Sequence, residues 1–163
     1  QFGRERARRS LESSFAQFQA DRAVVGLTRQ IRKNESAIEE LVKESSLKVG
    51  LASSSPLVLI KAVLDKTNMQ QYFSTLCSAE FLPFGKPNPQ VFINCAIALG
   101  SHPAACICFE DSFNGMIAAK AARMKCIVVP HPDQYHQERW NIADLRLNSL
   151  RSLTAKDFNA LLT

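Results

Sequence analysis

Short apolar runs alternate with helical patterns along the chain from Glu35 onward. The runs are bounded by turn residues, as buried parallel strands are, and they lie at residues 47–52, 75–78, 105–109 and 126–129. Helical patterns, two of which have proline at the first helical position, occur at residues 35–45, 56–65, 89–100, 116–123 and from 154 onward. The last pattern opens at Thr154, and Asp157 three residues later predicts a capping box. We therefore predict an α/β fold built on a parallel sheet with helices on both faces.

The first 34 residues differ from the rest in pattern and in charge. They contain eight basic and three acidic side chains, whereas residues 35–163 contain twelve of each. A helical pattern over 4–19 places arginines at the helix start, where the helix dipole disfavours positive charge. We predict a basic leader over 1–34 and an α/β core over 35–163. Because the core is neutral, we do not expect nucleic acid as a partner.

The composition excludes several classes of protein. No apolar stretch approaches the roughly 20 residues that a membrane helix needs, and no apolar segment of a secretory signal follows the N-terminal arginines. We expect a cytoplasmic protein without a membrane partner. The five cysteines contain no Cys-x-x-Cys pair and are expected to be reduced, with Cys106 and Cys108 on one face of a buried strand. The three histidines lack the spacing of a zinc site.

Side chains suited to phosphate and metal binding lie at the ends of three predicted strands. Ser53 and Ser54 follow the first strand, Lys86 comes shortly before a helix, and Glu110 and Asp111 follow the third strand. The carboxyl ends of parallel strands share one edge of the sheet, so these groups could converge there. Hydroxyls, helix-start N–H groups and an ammonium suit a phosphate, and carboxylates suit Mg²⁺.

Each of these groups also has a purely structural interpretation. Serines before a proline form turns and caps, Gly-Lys-Pro is common in surface loops, and Glu-Asp-Ser can cap the next helix. For Ser112 and Asn114 we prefer helix capping to a role in binding. The order of the groups and their position at strand ends favour a functional site.

The same segments resemble the later motifs of haloacid dehalogenase superfamily phosphatases. The matching segments are Ser53-Ser54-Ser55, Lys86-Pro87-Asn88-Pro89 and Glu110-Asp111-Ser112-Phe113-Asn114-Gly115-Met116, followed by the alanine-rich 118–122. Within the superfamily, residues 50–57 and 153–157 resemble the hexitol phosphatase or 2-deoxyglucose-6-phosphate phosphatase group. Pro56 stands where the related phosphoglucomutases usually carry a basic residue, which favours a phosphatase.

The resemblance implies a Rossmann-like core, a Mg²⁺ cofactor and a small phosphorylated sugar or sugar alcohol as substrate. It makes Ser53 the phosphate-binding hydroxyl, assisted by the backbone N–H of Ser54. It makes Lys86 the cation that neutralises the phosphate and the nucleophile. It implies that Asp111 binds magnesium, and that Glu110 either reaches the metal through water or orients Asp111.

Two parts of the family pattern are absent from this sequence. The family begins with a strand ending in Asp-x-Asp, whose first aspartate attacks phosphorus, and continues with a helical cap that selects the substrate. Asp21 is the only aspartate before Asp65, so the nucleophile motif is missing, and the leader does not resemble the cap. We therefore expect a core without its first, central strand, whose unpaired neighbours would make it marginally stable or promote self-association. A fragment or an altered reading frame would explain such a chain.

Three functions are compatible with these features. The first is magnesium-dependent hydrolysis of small sugar phosphates, incomplete in this chain. The second is a non-catalytic phosphate-binding or interaction module, which the missing nucleophile favours. The third is nucleic-acid binding by the basic leader, which predicts an affinity that falls steeply with salt.

Overall fold

The computed structural model describes residues 23–25 and 47–161 of the chain. Within them, the strands are β1 (Ala23–Val25), β2 (Lys48–Ser53), β3 (Thr75–Ser78), β4 (Cys106–Glu110), β5 (Lys125–Val128) and β6 (Leu145–Arg146). They form one sheet in the order β3-β2-β1-β4-β5-β6, and every neighbouring pair is parallel. The α-helices are α1 (Leu57–Thr67), α2 (Gln90–Ala98), α3 (Phe113–Ala121) and α4 (Ala155–Ala160). The predicted α/β fold is confirmed.

The two faces of the sheet carry separate hydrophobic clusters, because successive side chains of a strand point to opposite faces. Val49 and Leu51 of β2 lie in the cluster that includes Ile60 and Leu64 of α1. Cys106 and Cys108 of β4 lie in the opposite cluster, with the buried faces of α2 and α3. The predicted placement of these two cysteines on one buried face is confirmed.

The central position of the sheet is occupied, which corrects the expectation that the first strand would be missing. Ala23–Val25 pairs with β2 on one side and with β4 on the other. Parallel pairing requires only backbone N–H and C=O groups, so a short apolar segment can fill this position without the aspartates of the family motif. Three residues of the predicted leader are therefore part of the sheet. Because they fill the central position, the self-association expected from an empty one has no basis there.

Local capping signals match the structure at two helices. Ser112 begins α3, and its Oγ accepts a hydrogen bond from the Gly115 N–H at 3.0 Å. The Thr154 N–H donates to the Asp157 carboxylate at 2.9 Å, and the Asp157 N–H donates to Thr154 Oγ1 at 3.2 Å, which is the predicted capping box. The helix α3 starts at Phe113, three residues before the predicted start at residue 116, because the Ser112 cap begins the helix at the next residue.

Several other predictions can be compared with the structure. The helices predicted at 4–19 and 35–45, and the boundary at residue 34, lie outside the described residues. All five cysteines are free thiols, as predicted. The three histidines are exposed in loops and turns. Across the described ranges, no helix combines the length and the apolar character that crossing a bilayer requires.

Candidate functional site

Ser53 places a buried hydroxyl at the carboxyl edge of the sheet. It is the last residue of β2 and only 7% exposed. Its Oγ accepts a hydrogen bond from the Ser55 N–H at 3.1 Å, and its carbonyl accepts one from the Ala79 N–H at 2.9 Å. The first bond holds the turn between β2 and α1, and the second ties the end of β2 to the residue after β3. A hydroxyl that accepts one hydrogen bond can still donate its own O–H.

A carboxylate that the sequence analysis did not identify lies at the start of α1. Glu80 Oε2 accepts a hydrogen bond from the Leu57 N–H at 3.0 Å, and so satisfies one of the N–H groups that a helix start leaves unpaired. Glu80 itself is exposed and lies in the loop after β3. No local sequence signal links two residues that are 23 positions apart, so only the tertiary structure identifies this contact.

Lys86 reaches from the loop before α2 to the end of β2. Its ammonium donates to the Ala52 carbonyl at 3.2 Å, and its Nζ lies 4.4 Å from the centre of the Phe92 ring. The Lys86 backbone N–H also donates to Ser54 Oγ over a long 3.4 Å. These contacts are with Ala52 and Ser54, the residues on either side of Ser53 in the chain, and such a convergence of the lysine with the serine turn is what the motif order predicted.

The Lys86 ammonium is paired with the Glu110 carboxylate in a buried salt bridge. Its Nζ donates to Glu110 Oε1, and the two side chains are only 7% and 0% exposed. The other oxygen, Oε2, accepts from the Ser112 hydroxyl at 2.9 Å and from the Ser112 N–H at 3.3 Å. Both Glu110 oxygens therefore have donors, which matches the requirement that a buried charge be paired and hydrogen-bonded.

Gly115 provides the space for this carboxylate. A Cβ atom at Gly115 would collide with the side-chain oxygens of Glu110. The N–H of the same residue donates to Ser112 Oγ. Ser112 thus links the start of α3 to Glu110, and its predicted capping role is confirmed together with this second contact.

Asp111 directly follows β4 and is partly buried. Its carboxylate chemistry suits Mg²⁺. In the part of the chain that the structure describes, however, no group of three or more His, Cys, Asp or Glu side chains could hold a metal ion. With both oxygens of Glu110 engaged, these residues alone do not fit a complete magnesium site.

The central strand ends at the same edge of the sheet without an acidic residue. Val25 is level with Gly50 of β2 and Cys108 of β4, so β1 ends on the side where Ser53 and Glu110 lie. In the sequence it is followed by Gly26-Leu27-Thr28, none of which has a carboxylate, and no Asp-x-Asp occurs anywhere in the chain. The strand that would present a nucleophile is thus present, but the nucleophile motif is not.

A family model for haloacid dehalogenase-like hydrolases matches residues 6–123. The chain belongs to this family. The match begins inside the segment that the charge pattern set apart as a leader, and it includes β1 and all the strand ends described above.

Relatives and solved structures agree with this assignment. Hexitol phosphatase B of Escherichia coli (strain K12) is 47% identical over 135 residues, which are 83% of this chain and 61% of that protein. A β-phosphoglucomutase from Clostridium difficile is 26% identical, with a TM-score of 0.68 over 80% of this chain and 56% of that one. CbbY from Rhodobacter sphaeroides in complex with phosphate is 25% identical, with a TM-score of 0.60 over 76% of this chain and 52% of that one.

The chain thus spans about three fifths of the length of the curated relative hexitol phosphatase B. Within that span, Ser53, Ser54, Lys86 and Glu110 come together at one edge of the sheet, with Asp111 next in the chain. Ala52, Glu80 and Gly115 complete the surroundings, and sequence reasoning assigned no role to them. Gly115 lies in the motif Glu110–Met116, three residues after the helix cap Ser112, and this position was the available signal for its role.

Proposed function

We propose that this chain contributes the phosphate-binding part of a phosphatase for small sugar phosphates, such as hexose or hexitol phosphates. The observation that carries this proposal is the buried Lys86 ammonium, which donates to the Ala52 carbonyl and so lies at the end of β2, where Ser53 is the last residue. The substrate class is supported by the 47% identity to hexitol phosphatase B. The cytoplasmic location expected from the sequence stays a prediction.

Three donors of this chain would bind the phosphate. Lys86 has three N–H groups, of which two are used by Ala52 and Glu110, so that one can donate to a phosphate oxygen. The Ser53 hydroxyl and the Ser54 backbone N–H would supply the other hydrogen bonds. Hydrogen bonds to a charged phosphate are stronger than those between neutral groups, and here they would form at the carboxyl ends of the strands.

Glu110 has a positioning role in this proposal. Its carboxylate holds the Lys86 ammonium at the end of β2 and is itself held by Ser112. It also balances the lysine charge when no phosphate is present. We therefore propose that Glu110 binds the Lys86 ammonium rather than a metal ion.

We propose Mg²⁺ as the cofactor of the whole protein on the basis of the family resemblance, with Asp111 as the ligand that this chain would contribute. A bound Mg²⁺ would polarise the phosphoryl group. Because the described residues do not form a complete metal site, the binding roles proposed for this chain rest on its own side chains.

The absence of an Asp-x-Asp motif favours a second candidate function. Without an aspartate to attack phosphorus, the chain would bind a phosphorylated ligand and leave it intact. This makes it a phosphate-binding module derived from a phosphatase. The two candidates share the Lys86 site and differ in turnover.

One pair of measurements separates these candidates. Magnesium-dependent phosphate release from a panel of hexose and hexitol phosphates is measured for the chain and for Asp111→Asn, and calorimetry measures the binding of inorganic phosphate. Turnover that Asp111→Asn abolishes would support the phosphatase and reject the binding module. Binding without turnover would support the module. If neither is seen, both proposals are wrong.

The calorimetry includes a matched pair of lysine variants. Lys86→Met removes a charged donor worth about 1.5–3 kcal/mol, so we expect phosphate affinity to fall about 10- to 100-fold. Lys61→Met makes the same change at an exposed position of α1 and should leave the affinity unchanged. Equal effects of the two substitutions would show that Lys86 does not bind the phosphate.

A further inference from the structure

Two cysteines lie beside the outermost strand of the sheet, β3, outside the Lys86 site. Cys77 lies in β3, an edge strand whose four residues are all partly exposed. Cys95 lies in α2, which packs on this face of the sheet, and is fully buried. Cys77 packs against the cluster of buried residues that contains Cys95.

Gly50 allows this contact. A Cβ atom at Gly50 would lie 2.6 Å from Cys95 Sγ and 3.0 Å from Thr75 Cγ2. Gly50 pairs with Thr75 across β2 and β3, and Cys77, two residues later, points to the same face as Thr75. The missing side chain of Gly50 therefore leaves the space in which the sulfur of Cys95 reaches β3.

The two thiols differ in acidity. The hydrogen bond from Cys95 lowers the pKa of Cys77 to about 7, an effect that partial burial opposes and a hydrogen bond from Thr75 reinforces. The same contact with Cys77, together with burial, raises the pKa of Cys95. At neutral pH the partly exposed sulfur has thiolate character and the buried sulfur keeps its proton.

We propose that Cys77 and Cys95 form a dithiol site that reacts with hydrogen peroxide and closes to an intramolecular disulfide. The Cys77 thiolate attacks a peroxide oxygen, the O–O bond breaks, and the departing hydroxide takes up a proton to become water. The resulting Cys77 sulfenic acid is attacked by the Cys95 sulfur, the S–O bond breaks, and the proton of Cys95 leaves with the hydroxide as a second water. Two thiols are oxidised by two electrons and one peroxide is reduced.

The new bond would join β3 to α2, the two elements on either side of the loop that carries Lys86. This inference does not depend on the proposed function, because it concerns the thiols alone. Its readout is a covalent change in mass, which is independent of phosphate binding or turnover.

The chain contains a second thiol contact that provides an internal control. Cys108 and Cys126 are opposite each other in β4 and β5, and both are completely buried between the sheet and the helices. Burial raises the pKa of Cys108 well above its usual value. We expect this pair to stay reduced when Cys77 and Cys95 react, because both of its sulfurs are completely buried and peroxide cannot reach them.

The test uses the full chain at low micromolar concentration with a small excess of hydrogen peroxide. Free thiols are then alkylated after unfolding, and the mass is measured with and without reductant. We expect the number of alkylated cysteines to fall from five to three and to return to five after reduction. Cleavage after glutamate places Cys77 on the fragment 45–80 and Cys95 on the fragment 81–110, and cleavage after Leu99 then separates Cys95 from Cys106.

Variants define the order of the two steps. Cys95→Ser should form no internal disulfide and should accumulate a sulfenic acid at Cys77 that dimedone traps. Cys77→Ser should retain all its remaining thiols under the same treatment. If a variant fails to fold, the measurement on the unmodified chain still tests whether Cys77 and Cys95 form a disulfide. Five unreacted thiols, a bridge from Cys77 to Cys106 or Cys108, or a disulfide between two chains would each overturn the proposal.

Discussion

Replacing Glu110 by alanine would leave the Lys86 ammonium without its carboxylate partner. The two side chains are 7% and 0% exposed, so the ammonium that remains is largely removed from bulk water. The Ala52 carbonyl remains as a neutral acceptor for the same ammonium. The substitution therefore tests whether the buried ion pair holds this part of the molecule together.

The expected loss can be estimated from the burial of the pair. Removing one partner of a buried salt bridge costs about 3–5 kcal/mol, because the remaining charge is uncompensated. For a domain of this size, 1 kcal/mol corresponds to a shift of about 2–4 °C in Tm, so Glu110→Ala should lower Tm by about 6–20 °C. Such a loss is a large part of the roughly 5–15 kcal/mol that stabilises a typical domain.

Thermal and urea unfolding are followed by the fluorescence of Trp140, the only tryptophan of the chain, which is 1% exposed. Lys120→Ala serves as the control, since it breaks a salt bridge to Asp144 whose side chains are 31% and 18% exposed and should cost only about 0–1 kcal/mol. Adding Lys86→Met to Glu110→Ala removes the unpaired charge and should recover part of the loss. The reasoning is wrong if Glu110→Ala is no more destabilising than Lys120→Ala.

Three further outcomes follow from the same structure. Gly115→Ala should lower the free energy of unfolding in urea by about 1–3 kcal/mol, because its Cβ would collide with Glu110, although alanine normally stabilises a helix relative to glycine. The control Gly85→Ala, whose Cβ would lie 3.4 Å from Ser54 Oγ, should change stability by less than about 0.5 kcal/mol. A larger loss in Gly85→Ala than in Gly115→Ala would contradict this account. Alkylation of Cys77 by iodoacetamide, followed by mass spectrometry at increasing pH, should be half-maximal near pH 7 and should slow on acidification as the thiolate is protonated. In Cys95→Ala the midpoint should move to higher pH, since the main hydrogen bond that stabilises the thiolate is lost, and an unchanged midpoint would show that Cys95 does not set the acidity of Cys77.

The elements with strong local signals could be predicted from the amino-acid sequence. The apolar runs ending near Ser53 and Glu110 became strands β2 and β4, because a continuous apolar run between turn residues has few other ways to be buried. The capping box at Thr154 and Asp157 formed as expected, since its bonds are made within one turn of the chain. The convergence of serine, lysine and glutamate followed from the order of the motifs in a parallel sheet, whose strands all end at one edge.

Only the tertiary structure could show that Ala23–Val25 lies at the centre of the sheet. Three apolar residues carry too little periodicity to predict a strand, and their place between β2 and β4 depends on backbone hydrogen bonds to residues far away in the chain. The same holds for β6, which is two residues long. Strands this short form only where the rest of the fold supplies neighbouring strands with which they can pair.

The partner of each charged side chain was likewise a property of the folded chain. Motif order brought Lys86 and Glu110 to one edge, but it could not show that both oxygens of Glu110 would be taken by Lys86 and Ser112. Nor could it show that Cys95 would reach Cys77 over Gly50. Sequence patterns determine which groups lie at a strand end, whereas hydrogen bonds and burial over distances of a few ångströms determine which of them pair.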